Sequence, residues 1–373
     1  MHVQKHAIST EDSSASFQLT SFHFGQPGSG KKVYIQAALH ADEIPGMLVS
    51  QFLRIELEAL ERDGSIRGEV ILVPAANPIG MSQAIHGAPF GRFDLATGVN
   101  FNRAYKHVAS DLKVSLAGKL STDDAAANVA LIREHARESV ASWTPGTNAE
   151  TLKKTLLAMA IDADYVLDLH CDNEAVVHMY AGTPLQQAVK PLAAIMGAHA
   201  VLLALEAGEE PFDEACSRLW WDLPAHFGAA FPIPAACVSV TVELRGEMDV
   251  SYEYAKQDAR GLLQYLAHEG VLDMPLEPVP EPVCAPTPLE GVEPIHAPHS
   301  GVLVFMKNLG DKVEGGEAIA ELVEPVSGRT TQLRTTRSGV FFARTAHRYV
   351  HRGMNVGKLA GATAYRVGKL LSS

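Results

Sequence analysis

Val33-Tyr34-Ile35-Gln36-Ala37-Ala38-Leu39 is a run with one polar residue, and it stops at His40. A strand that is continuously apolar has to be covered on both faces, as in a parallel sheet enclosed by helices. Pro45-Gly46 then opens a segment, Met47 to Arg62, whose apolar positions recur at helical spacing. After Gly68 comes a second apolar run, Glu69 to Pro74. Strand, helix and strand in that order imply a right-handed crossover between two parallel neighbours.

The alternation continues along the chain. Ser16 to Phe24 reads as an edge strand, and further strands are predicted over 165–170, 176–181, 200–204 and 237–243. Helices are predicted over 122–143, 148–161, 185–197, 217–227 and 252–268. This is the pattern of an α/β fold with a mixed, largely parallel sheet flanked by helices. The stretch from Ala75 to Tyr105 is rich in Gly, Asn and Pro and is too long for a plain connection, and long loops of this kind are usually functional or disordered.

A chain of 373 residues exceeds one average domain. Prolines at 275, 278, 280, 282, 286, 288 and 294 mark a stiff linker. The expected division is a larger domain over 1–272, a linker over 273–294 and a small all-β domain over 295–373. Ser300-Gly301-Val302 and Ser338-Gly339-Val340 begin two similar β units, the first resembling half of a biotinyl/lipoyl-type sandwich. The turn Glu324 to Arg329 lacks the lysine that such carriers modify, so a structural or site-capping role is expected instead.

A net charge of −12 argues against nucleic acid, whose binders need a basic face. No apolar run approaches the length of a membrane span, and the first residues lack a signal-peptide pattern. Cys171, Cys216, Cys237 and Cys284 are scattered without any Cys-x-x-Cys pair, which suits reduced thiols. A cytoplasmic protein with a small-molecule partner is expected, and a homo-oligomer is compatible with this.

Three of the strands end on groups suited to metal-assisted hydrolysis: His40 with Glu43, then His170, then Glu243. His-x-x-Glu alone is weak, since His135 and Glu138 repeat it inside a charged helix where a solvated face explains it. Two histidines and a carboxylate are the ligand set of a catalytic zinc with one open position. Glu243 is the candidate general base, its alternative being a simple pair with Arg245. Asp168 shares the face of His170 and could orient its imidazole; His178, on the next strand, could reach the rim, although a core role suits it better. Arg103, beside Asn102, has the planar fork that grips a carboxylate, and Arg92 could stabilise an oxyanion. Trp220 and Trp221 are candidates for an acyl pocket, with core packing the simpler reading.

His40-x-x-Glu43, Asn102-Arg103, Asp168-Leu169-His170 and Glu243, in that order, resemble the succinylglutamate desuccinylase/aspartoacylase family of zinc carboxypeptidase-like hydrolases. The resemblance implies one zinc per chain on His40, Glu43 and His170, with Glu243 as general base. It also implies that Asn102 and Arg103 bind the substrate carboxylate and that Arg92 polarises the carbonyl. The implied activity is deacylation of an N-acyl amino acid by metal-activated water. A carboxypeptidase acting on short peptides and a non-catalytic zinc-fold binding protein are the alternatives.

Overall fold

The computed structural model describes residues 1–9, 16–365 and 370. Its first part holds strands β1 (His2–Ile8), β2 (Phe17–Gly25), β3 (Lys32–Ala37), β4 (Glu69–Val73), the small hairpin β5 (Ala84–Ile85) and β6 (Ala88–Pro89), and β7 (Tyr165–Asp172). Then come β8 (Glu174–Ala175), β9 (His178–Gly182), β10 (Ala200–Ala204), β11 (Val238–Gly246) and β12 (Thr287–Pro288). Nine of these form one sheet in the order β1-β2-β4-β3-β7-β11-β9-β10-β12. The centre, β4-β3-β7-β11, is parallel, while β2 and β9 join it antiparallel.

The helices are α1 (Pro45–Arg62), α2 (Pro78–Met81), α3 (Ala109–Ser115), α4 (Ala125–Ser142), α5 (Asn148–Ala160), α6 (Lys190–Ile195), α7 (Phe212–Ser217), α8 (Leu219–Phe227) and α9 (Tyr252–His268). Strand alternation divides the core between the two faces of the sheet. Val33, Ile35, Leu167 and Val240 pack with Leu53 of α1 and Leu262 of α9. Tyr34 and Val166 face the other way, onto Ile132 of α4, Leu156 of α5 and Phe212 of α7. The central strands therefore have no solvent face, which is why they read as unbroken apolar runs.

Some expectations change. Ser16 to Phe24 is not an edge strand, because β1 pairs outside it along its whole length. β1 is mostly exposed, so no burial pattern betrays it. The helix expected over 185–197 is a 3-10 turn at Thr183–Leu185 followed by the shorter α6. Pro191 sits in its first turn, where a missing N–H costs nothing. Trp220 is core and Trp221 packs on the core against Gly182, and neither lines the cavity described below.

The proline-rich stretch runs without regular structure to Pro286 and then adds β12 to the large sheet beside β10. Beyond it lie β13 (Val292–His296), β14 (Gly301–Phe305), β15 (Lys312–Val313), β16 (Ala318–Glu324), β17 (Arg329–Arg334), β18 (Gly339–Arg344), β19 (Tyr349–Val350) and β20 (Asn355–Ala360). They form two antiparallel sheets, β13-β20-β18-β15 and β17-β16-β14-β19, closed over Leu303, Ile319, Leu322, Phe341 and Leu359. The two sequence repeats correspond to the pairs β14–β16 and β18–β20, one in each sheet. This region is joined to the first part by β8, which pairs with β18.

Candidate metal centre and substrate cavity

β3 ends at Ala37, and the next residue turns the chain sharply: Ala38 is buried with φ of +58°, a left-handed conformation that costs an L-residue energy. The side chain of Asn77 holds the turn by donating to the carbonyl of Leu39 (2.8 Å). His40 and Glu43 follow in a tight turn closed by Glu43 N–H to His40 C=O (3.1 Å). His170 comes from within β7, and Glu243 from the neighbouring β11, directly opposite it in register.

Both histidines present Nδ1 to the same carboxylate. Nδ1 of His40 lies 2.8 Å from Oε1 of Glu43, and Nδ1 of His170 lies 2.8 Å from Oε2. The far ring nitrogens are committed elsewhere. Nε2 of His40 is 2.8 Å from Oδ1 of Asn100, an oxygen that also accepts the N–H of Asn102 (2.8 Å). Nε2 of His170 is 3.0 Å from Oδ2 of Asp168. The acceptor behind His40 puts its proton on Nε2 and leaves a lone pair on Nδ1; Asp168, close behind His170 but outside hydrogen-bonding geometry, favours the same tautomer through its charge. Three acceptor groups thus converge: Arg92 Nη1 (3.1 Å) and the N–H of Cys171 (3.1 Å) each reach one oxygen of Glu43 from the edge, and a shared proton or a cation reconciles the two Nδ1 atoms with the carboxylate between them. All three residues are buried, and they form a group able to hold a metal ion. The chemistry of the set, two imidazoles and one carboxylate, fits zinc.

The charges show the same tension. Burial opposes ionisation of Glu43, yet His40 and His170 hold its carboxyl well below the usual range. Burial likewise works against a charged His170, but Asp168 and Glu43 push its imidazole well above the ordinary value.

Behind His170 runs a buried relay. Tyr34 Oη donates to Oε1 of Gln36 (2.8 Å), and Gln36 Nε2 donates to Oδ1 of Asp168 (2.9 Å). Gln36 and Asp168 are neighbours in register on β3 and β7. The sequence reading placed Asp168 on this face but overlooked Gln36 and Asn100. Gln36 is the one polar residue in an apolar run, and Asn100 lies in the Gly-, Asn- and Pro-rich stretch from Ala75 to Tyr105, so each leaves a trace.

His40, Glu43 and His170 open onto a cavity of about 100 Å³ that Arg92, Asn102, Arg103, Thr241 and Glu243 also line. Arg92 Nη1 donates to Oε1 of Glu43 (3.1 Å). Its placement follows from Gly91: any Cβ there would lie 2.4 Å from the backbone nitrogen of Asp42, so the loop presses directly on the His40–Glu43 turn. Arg103 is buried, donates from Nη1 to the carbonyl of Asn102 (2.7 Å), and has Nε 3.8 Å from Glu209. Oδ1 of Asn102 accepts the N–H of Phe212 (2.9 Å), tying the loop to α7.

Glu243 does not pair with Arg245. That arginine makes a bidentate bond to Asp258 (2.8 and 2.7 Å). Oε2 of Glu243 has no hydrogen-bond partner among the described residues. Burial, then Glu43 and Asp172, raise its carboxyl to about 8. His178 is wholly buried, donates from Nδ1 to the carbonyl of Val176 (2.9 Å) and packs on Phe342. It is opposite Glu243 in the sheet but does not line the cavity. His135, expected on a solvated face, is instead largely buried on α4 against Ser115 (2.9 Å) and 3.9 Å from the exposed Glu138, and neither residue lines this cavity.

The chain is similar to known proteins over most of its length. Residues 29–269 match the succinylglutamate desuccinylase/aspartoacylase catalytic domain. A solved structure of a succinylglutamate desuccinylase/aspartoacylase family protein from Shewanella amazonensis superposes with a TM-score of 0.84 at 27% identity, covering 96% of this chain and 98% of that one. A relative from Shewanella frigidimarina gives 0.84 at 24% identity, over 96% and 97%. The product-bound ectoine utilization protein of Ruegeria pomeroyi shares the fold, with a TM-score of 0.63 at 20% identity over 97% and 95%. No curated protein matches the chain.

Proposed function

The chain belongs to the succinylglutamate desuccinylase/aspartoacylase family, and from that premise we propose that it hydrolyses the amide bond of a small N-acyl amino acid. The observation that carries the proposal is the convergence of two Nδ1 atoms and both oxygens of Glu43 beside an otherwise unbonded Glu243. His40, Glu43 and His170 would hold one zinc ion. Such an ion polarises a carbonyl and lowers the pKa of water, which is the chemistry amide hydrolysis needs.

The remaining work falls to the protein. Glu243 accepts the proton of the attacking water and passes it to the leaving nitrogen. A cation opposite would favour its ionised form over the raised value of about 8 that it has without one. Arg92, held at Glu43, supports the negative charge that builds on the carbonyl oxygen. Arg103, with Asn102 beside it, grips the substrate carboxylate. Asn100 and Asp168 keep the ligand imidazoles in one tautomer and orientation. A cavity of about 100 Å³ supports a compact substrate over a peptide.

Glu243→Gln tests the assignment directly. The variant is expected to keep its metal content and lose about 10²–10⁴-fold in turnover of N-acyl amino acids; near-normal activity would remove Glu243 from the mechanism. His170→Ala should release the metal, and full occupancy in that protein would contradict the ligand set. Short peptides offered in the same assay are expected to be poor substrates, and their preference over N-acyl amino acids would turn the reading toward a carboxypeptidase.

A further inference from the structure

α5 buries a stripe of residues: Ala149, Leu152, Leu156, Leu157 and Ala160 recur at the i, i+3, i+4 spacing of a core-facing helix. Lys153 occupies a position in that stripe where the pattern calls for an apolar side chain, and it is 3% exposed.

A buried ammonium ordinarily sits against a carboxylate. Lys153 makes no ion pair among the described residues: its Nζ donates to the carbonyl of Asn100 (3.3 Å) and lies 5.9 Å from the centre of the Tyr105 ring. The two carboxylates that face it are occupied elsewhere. Glu150, one turn back on α5, accepts the N–H of Gly146, and Asp94 accepts the N–H of Ala96 (3.2 Å) and the hydroxyl of Thr97 (2.7 Å). Burial, opposed by these carboxylates, lowers the Lys153 ammonium to about 8.

Such a group is a poor stabiliser. With its folded value below the ordinary 10.5, the charged form costs stability at pH below about 8, and the cost fades as pH rises from 8 to 10.5. A methionine of similar length would fill the same place among apolar neighbours without that cost. Nor does the Asn100 carbonyl need the lysine, since it also accepts the N–H of Arg103 (3.1 Å). What the lysine does reach is the turn from which the site hangs. One side-chain oxygen of Asn100 takes both Nε2 of His40 and the N–H of Asn102 (2.8 Å each), and Asn102 and Arg103 run on from it into the cavity wall.

Resting on the metal-centre reading above, we propose that Lys153 is a positioning residue, whose charge draws the Asn100 carbonyl onto α5 and thereby holds His40 in place beside Glu43 and His170. Lys153 acts on His40 through one intervening residue, as a buried charge that the fold bears for the sake of the site.

The test compares the full-length wild type with Lys153→Met in two measurements. The first is the urea midpoint of the metal-free proteins at about pH 7, where the variant is expected to equal or exceed the wild type. The second is Zn2+ affinity, by competition with a chelator, between about pH 6 and about pH 10. The wild type should bind about tenfold more tightly near pH 7, and the ratio of the two affinities should fall toward one as pH passes about 8. Taking the ratio at each pH cancels the protons that the ligands themselves exchange, because both proteins share them. A lower urea midpoint, or a variant that fails to fold, would make Lys153 a brace of the core and overturn the proposal. A ratio of one or below near pH 7, or a ratio that stays constant across the range, would overturn it as well. A wild type without affinity for Zn2+ would overturn the metal-centre reading itself, whereas each of the other outcomes leaves that reading standing.

Discussion

Asn100 acts on the centre without touching the position where a metal would sit. Its Oδ1 accepts from Nε2 of His40 and from the N–H of Asn102, and its own carbonyl takes a bond from the buried Lys153 (3.3 Å). Asn100→Ala is expected to lower metal affinity by about 10–100-fold, measured by competition with a chelator; unchanged affinity would show that the turn alone orients His40. Glu214 offers a pH test independent of the metal. Its folded pKa of about 8 lies above the ordinary 4.5 because burial, and then Asp213, disfavour the charge. The stability that this raised value contributes is present below 4.5 and is lost as pH rises through 8. Glu214→Gln should therefore gain on the wild type in urea midpoint between about pH 5 and about pH 9, and a constant difference would contradict the shift.

Elements with strong local signals were legible in the sequence. α9 occupies the residues expected, and Ser251 caps it by accepting the N–H of Tyr254 (3.1 Å). α4 and α5 begin at Asp124 and Thr147 caps within a few residues of expectation. β1, α3 and α7 were not legible, because a short or exposed segment carries too little periodicity to read. The join between α1 and the sheet depends on a residue whose importance no pattern shows. A Cβ on Gly46 would lie 3.0 Å from Cβ of Ala37 and 3.1 Å from Cβ of Leu169, both fixed to strands. Gly46→Ala should cost about 1–3 kcal/mol in denaturant unfolding, because the helix must move away from β3 and β7. Since Glu43 lies just before that helix, weaker metal binding is expected in the same protein.

At the scale of the whole molecule, the sequence suggests two bodies and a stiff linker, whereas the structure stitches them together. β12 extends the large sheet from the linker, β8 extends a sheet of the β region from the first part, and Lys358 meets Asp172 between them. Such shared sheets and buried ion pairs should couple the parts in unfolding. Calorimetry is expected to give one transition, and two well-separated transitions would show that the parts melt independently. Among the described residues no helix is long and apolar enough to cross a membrane.

What the sequence determined by itself is whatever is written in local pattern: buried parallel strands as unbroken apolar runs, capped helices at their caps, and the order His40, Glu43, His170, Glu243 that marks the family. These follow from side-chain chemistry and periodicity over a few neighbouring residues. Tertiary structure decided which nitrogen of each histidine faces Glu43, that Asn100 and Asp168 stand behind them, and that Gly91 brings Arg92 to Glu43. It also decided that a lysine more than 180 residues from His170 borders the same cavity. Those are contacts between distant segments, set by how sheets and loops pack, and one-dimensional spacing carries no record of them.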